Sequence, residues 1–228
     1  MGYDIELEDV RDYGNQFNFE PVKADDYSHF SWPEDRPEAG KPVIIRDYQL
    51  PIINSFLSNT QCIQEVATGA GKTIMTAILS HKCEAYGRTI VIVPNKSLVV
   101  QTEADYKVIG LDVGVYFGDR KEFNKQHTIC TWQSLNNLLK NTKEGSADVT
   151  IQEFLQDVVC VMVDEVHMAK AEALKTLLTG VMSAVPIRWG LTGTIPKDDF
   201  DFIALKISIG NVMGQLKAHE LQEAGHLS

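Results

Sequence analysis

Ala67-Thr68-Gly69-Ala70-Gly71-Lys72-Thr73 follows Gln61–Val66, which reads as a short buried strand, and opens an apolar-periodic stretch that continues to Tyr86. Glycine at 69 and 71 lets the backbone turn so that successive N–H groups point inward, the arrangement that cradles phosphate. Lys72 stands where its ammonium reaches phosphate oxygens, and the Thr73 hydroxyl is of the kind that ligates magnesium beside them. A helix from Lys72 adds the positive end of its dipole. The general phosphate-loop pattern asks for glycine at position 66, where this chain has Val66.

Outward from this loop, strand-like and helix-like stretches alternate. Ile44–Leu57 has helical spacing at Tyr48, Ile52, Ile53 and Phe56. Thr89–Val93, Val113–Phe117, Thr128–Thr131, Val158–Val163 and Ile187–Leu191 read as strands, the last being the final clear one. Helices are expected over 72–86, from Ser97, and over 133–140, 151–155 and 171–181. Such alternation predicts a mainly parallel sheet between helical layers, with ligands beyond the carboxyl ends of the strands.

Val158–Val163 leads directly into Asp164-Glu165-Val166-His167. A carboxylate at the tip of a buried strand is costly unless it meets a cation. Asp164 is therefore expected to hold magnesium across from Thr73. Glu165 is the candidate base for an attacking water, and His167 a contact to phosphate or to the next motif.

These stretches together resemble superfamily 2 helicases. ATGAGKT, DEVH and Leu191-Thr192-Gly193-Thr194 resemble motifs I, II and III, and the resemblance covers 43–228. It implies a RecA-like three-layer α/β/α P-loop fold, ATP and Mg2+ as cofactors, and a coupling role for Thr192, Gly193 and Thr194. Arg46-Asp47-Tyr48-Gln49 resembles the element in which Gln49, with Arg46, recognises adenine. Pro94-Asn95-Lys96 and Thr131-Trp132-Gln133 resemble elements that touch nucleic-acid phosphates, so Pro94, Asn95, Lys96, Thr131 and Gln133 are candidate contacts. The same Ser, Thr and Asn residues equally suit helix caps. DEVH with LTGT is closer to the DNA-directed branch than to DEAD-type RNA helicases. That branch holds UvsW-like recombination helicases, XPB-like translocases and restriction motors. A non-catalytic nucleotide-binding module is the alternative from another class.

Composition bounds the rest. The chain has 228 residues and a net charge of −10, which argues against a strongly basic, non-specific nucleic-acid binder. Much of the negative charge falls in 1–42, an acidic, aromatic, proline-interrupted arm expected to pack on the main domain, with a short strand near Ile5–Leu7. Domain boundaries are expected at 1–42, 43–215 and 216–228, the last leading toward a second RecA-like domain outside this sequence. No run is long enough to span a membrane, no signal-peptide pattern opens the chain, and Cys62, Cys130 and Cys160 sit in apolar runs. A reducing, cytoplasmic setting in a bacterium or phage-infected cell is the expectation.

Overall fold

The computed structural model describes residues 16–168 and 171–225. The strand expected near Ile5–Leu7 lies outside the described residues. In chain order the elements are α1 (Gln49–Leu57), β1 (Gln61–Val66), α2 (Lys72–Cys83), β2 (Arg88–Val93), α3 (Lys96–Val108), β3 (Val113–Phe117) and β4 (Arg120–Lys121). There follow β5 (His127–Thr131), α4 (Trp132–Glu144), α5 (Ile151–Phe154), β6 (Val158–Asp164), a 3-10 turn (Val166–Met168), α6 (Ala171–Thr179), β7 (Ile187–Thr192), α7 (Asp199–Ser208), β8 (Asn211–Leu216) and α8 (Ala218–Glu223).

The strands form one sheet in the order β4-β3-β5-β2-β6-β7-β1-β8. Every pairing is parallel except β3 with the two-residue β4. Both faces are covered, which is why the inner strands read as unbroken apolar runs. Alternate residues serve opposite faces: Val91, Val93, Cys160 and Met162 pack toward α1–α3, whereas Ile90, Ile92, Val161 and Val163 pack toward α4–α7. All four cysteines, Cys62, Cys83, Cys130 and Cys160, are buried and free. Among the described residues no helix is long and apolar enough to cross a membrane.

Two expectations need correction. Residues 44–48 are not helical. Val43 and Ile45 are buried while Ile44 is exposed, the two-residue alternation of extended chain. Their N–H groups go to Phe30 O and Ala24 O, at 2.9 Å each, so this stretch is stitched to the arm and the helix starts only at Gln49. Ile187–Thr192 is also not the last strand, because β8 adds to the β1 edge. Its exposed and half-buried residues carry little apolar signal, and Gly214 lies within it.

The described part of the arm is irregular and packed. Val22 and Tyr27 are buried; Tyr27 Oη meets His81 Nδ1 at 2.7 Å, and Asn54 bonds both N–H and C=O of Val22. Phe19 packs on Tyr86 and Trp189.

Candidate nucleotide site

The register sets the site. β7 lies between β6 and β1, pairing Asp164 with Leu191 and Glu65 with Thr192. The carboxyl ends of β6, β7 and β1 therefore deliver the acidic pair, the threonine–glycine turn and the phosphate loop side by side.

Gly69 and Gly71 have φ of 86° and 79°, the left-handed region in which a side chain is strained. At Gly71 there is also no room, since a Cβ would stand 2.6 Å from Gln49 Nε2. Gln49 is why. Its Nε2 donates to Ala70 O at 2.8 Å, and its Oε1 accepts from Arg46 N–H at 3.0 Å. The Gln49 amide thus braces the loop from beneath. Arg46 donates to Tyr48 Oη and to Glu38.

Lys72 is buried and spans the loop, with Nζ 2.7 Å from Glu165 Oε1 and 3.3 Å from Val66 O. Glu165 adopts φ 51°, unusual for a residue with a side chain, at the point where β6 ends. Its Oε2 accepts from Gly193 N–H at 3.3 Å and lies 3.2 Å from His167 Nδ1. His167 Nδ1 in turn meets Thr192 Oγ1 at 2.7 Å. The Thr192 hydroxyl spends its proton on Thr194 O at 2.6 Å, so the hydrogen in the His167 contact belongs to Nδ1. A continuous polar chain therefore runs from Lys72 through Glu165 and His167 to Thr192 and Thr194. Thr68 faces the same turn, for a Cβ on Gly193 would stand 3.1 Å from Thr68 Oγ1.

Asp164 is buried and accepts Glu165 N–H at 2.8 Å. Burial pushes its carboxyl up to about 6; Glu165 pushes the same way, and Lys72 opposes. No group of three or more His, Cys, Asp or Glu side chains placed to hold a metal occurs among the described residues. Thr73 and Asp164 offer hard oxygen donors, the kind of ligand magnesium takes alongside phosphate and water.

Thr73 Oγ1 donates to Asp105 on α3, whose other oxygen takes Arg36 of the arm at 2.5 Å. Neither Asp105 nor Arg36 belongs to a sequence motif. Asp105 reads as one more polar residue on a helix, and nothing local marks it. Trp32, Arg36, Gln49, Gly71, Thr73 and Asp105 are among the residues lining a cleft of about 530 Å³ beside the loop.

The candidate nucleic-acid residues lie farther along the same sheet edge. β2 pairs Val93 with Thr131, which sets the two turns side by side. Asn95, Lys96 and Gln133 are exposed and Pro94 is half-buried. Asn95 Oδ1 accepts Leu98 N–H and Thr131 Oγ1 accepts Ser134 N–H, so both side chains act as helix caps here.

A parallel sheet with a phosphate loop after β1, an acidic pair at the tip of β6 and a threonine–glycine turn between them defines the first RecA-like domain of superfamily 2 helicases. The chain belongs to the family described as Type III restriction enzyme, res subunit, whose model matches residues 43–197. It is 27% identical over 179 residues to DNA 3'-5' translocase XPB2 of Sulfurisphaera tokodaii, covering 78% of this chain and 37% of that relative. Among solved structures it resembles the UvsW helicase of bacteriophage T4 with a TM-score of 0.66 and 18% identity, covering 86% of this chain and 69% of that one. The Hef helicase domain of Pyrococcus furiosus gives a TM-score of 0.62 and 19% identity, covering 78% and 40%. At these identities the two structures speak for the fold. The chain spans little more than a third of the XPB2 relative's length.

Proposed function

We propose that this domain is the ATP-binding half of a DNA helicase or translocase that remodels duplex or branched DNA. The observation that carries the proposal is the meeting of Lys72, Asp164, Glu165 and Gly193 at the ends of three adjacent strands. The similarity to a DNA 3'-5' translocase supports DNA rather than RNA as the strand partner. A second RecA-like domain, supplied by a longer chain, would complete the cleft and contribute the charge that stabilises the transferring phosphoryl group. A cytoplasmic setting in a bacterial or phage-infected cell goes with that work.

In the proposed site the loop N–H groups and the N-terminus of α2 hold the phosphates of ATP. Lys72 exchanges Glu165 for phosphate oxygens. That exchange frees Glu165 to orient a water and accept its proton. Thr73 and Asp164 are the residues that would hold magnesium, which when bound neutralises charge on the phosphate oxygens. His167 and Thr192 then report the state of Glu165 to the turn at Thr192–Thr194. Arg46 and Gln49 remain the adenine-facing pair, with Gln49 also bracing Ala70. Pro94, Asn95, Lys96, Thr131 and Gln133 form the face for DNA phosphates. The exposure of Asn95, Lys96 and Gln133 and the side-by-side placement of the two turns support this, while Thr131 is buried and, like Asn95, caps a helix.

The experiment is nucleotide binding and ATP turnover by this chain and by a longer protein carrying a second RecA-like domain. Each is assayed with single-stranded, duplex and branched DNA and with RNA. Lys72→Ala should weaken Mg·ADP binding. Glu165→Gln should keep binding and abolish DNA-stimulated turnover in the two-domain protein. Full turnover by Glu165→Gln, or stimulation by RNA alone, would overturn the assignment.

A further inference from the structure

Asp105 sits near the carboxyl end of α3, yet its carboxylate is buried against the phosphate loop, with a side-chain exposure of 4%. One oxygen accepts the Thr73 hydroxyl proton and the other accepts from Arg36 Nη2. Arg36 is fixed in a turn of the arm, where Arg36 N–H donates to Pro33 O and Ala39 N–H donates to Arg36 O. Three residues far apart in sequence thus form one hydrogen-bonded chain from the arm, through α3, to the loop.

A buried carboxylate is costly unless its oxygens are satisfied, and here a cation and a hydroxyl satisfy them. The effect on Thr73 is chemical. A helical Thr commonly spends its proton on a nearby backbone carbonyl, as Thr76 Oγ1 does on Thr73 O at 2.7 Å. Thr73 spends its proton on a carboxylate instead. Either acceptor would leave both lone pairs of Oγ1 free to accept; what the carboxylate adds is charge, which makes that oxygen a better donor of electron density to a hard cation.

We propose that Asp105 is a positioning residue for the metal–nucleotide site. It holds Thr73 Oγ1 as an acceptor, and through Arg36 it makes the seating of the arm part of magnesium affinity. The proposal rests on the nucleotide-site assignment above. It adds a carboxylate outside the sequence motifs and gives residues around Arg36 a role in ligand binding.

The test is calorimetric titration of the 228-residue chain with ADP, once with magnesium and once with EDTA, reading the ratio of the two affinities. Asp105→Asn should lower that ratio about tenfold, the usual cost of losing a partner of a metal ligand, and leave the EDTA affinity unchanged. Arg36→Gln should lower it in the same direction by less. In a Thr73→Val background, Asp105→Asn should change the ratio no further. An unchanged ratio in Asp105→Asn, or an equal loss with EDTA, would overturn the proposal. If circular dichroism shows Asp105→Asn unfolded, Arg36→Gln carries the test alone, and an unchanged ratio there overturns it. If the wild type binds no ADP, or binds it independently of Lys72, the nucleotide-site assignment falls first. If binding needs Lys72 but neither variant moves the ratio, only the role of Asp105 falls.

Discussion

Asp164→Asn should make the metal-free domain more stable at neutral and alkaline pH. The wild-type carboxyl is raised from its ordinary 3.8 to about 6, with burial as the first cause. An unfolded chain ionises this group near 3.8, whereas the folded chain holds the proton until about 6. In that window the folded state binds more protons, so this group's contribution to stability falls as pH rises through it and stays lost above it. The shift is roughly two units, and at about 1.4 kcal/mol per unit the loss is roughly 3 kcal/mol. Asparagine cannot ionise and keeps the oxygen that accepts Glu165 N–H. The raised value already includes the opposing attraction to Lys72, so the gain above pH 7 should be about 2–3 kcal/mol, or roughly 4–12 °C in Tm for a domain of this size. The assay is thermal unfolding in EDTA at pH 4, 6 and 8. The variant should match the wild type at pH 4 and exceed it at pH 8. With Mg·ADP added at pH 8, the wild type should gain more than the variant, because only its carboxylate repays burial by meeting the cation. A variant less stable than the wild type by the same amount at every pH would refute the reasoning, for it would mean that Asp164 is a satisfied structural group.

Three other outcomes are expected. Gly210→Ala should cost about 2–4 kcal/mol in urea unfolding, because position 210 has φ 143° and an added Cβ would stand 2.4 Å from Gln61 O. Thr131→Ala should cost about 1 kcal/mol by removing the cap of α4. Exposed Gln133→Ala should leave Tm within about 1–2 °C, corresponding to ~0.5 kcal/mol, while lowering DNA affinity; DNA binding unaffected by both Gln133→Ala and Lys96→Ala would remove this edge from the DNA face.

Most of the fold and much of the site were legible because the deciding chemistry is local. Two left-handed glycines before a lysine can be read from seven consecutive residues, since the turn they allow is made by their own backbone. The run Val158–Val163 ending in two carboxylates reads as a buried strand with a cation-seeking tip; the structure has the buried strand, with the Asp164 carboxyl buried at its end. Strand β8 was not legible, because an edge strand need not be apolar and Asn211–Leu216 carries Asn, Gly and Gln. The extended stretch at 43–46 was missed because its hydrogen bonds go to Ala24 and Phe30, partners that local periodicity does not represent.

By itself, then, the sequence determined the layered α/β class, the phosphate loop and the acidic strand end, each set by contiguous residues and their backbone preferences. The tertiary structure alone decided that β7 passes between β6 and β1, so that Glu165 meets both Lys72 and Gly193. It alone decided that Gln49 braces the loop, that Asp105 reaches Thr73 across 32 residues of chain, and that Arg36 reaches Asp105 across 69. The physical reason is the same in each case. Such contacts depend on strand order and helix packing, which arise from burial summed over the whole domain, and no single stretch of sequence carries that sum.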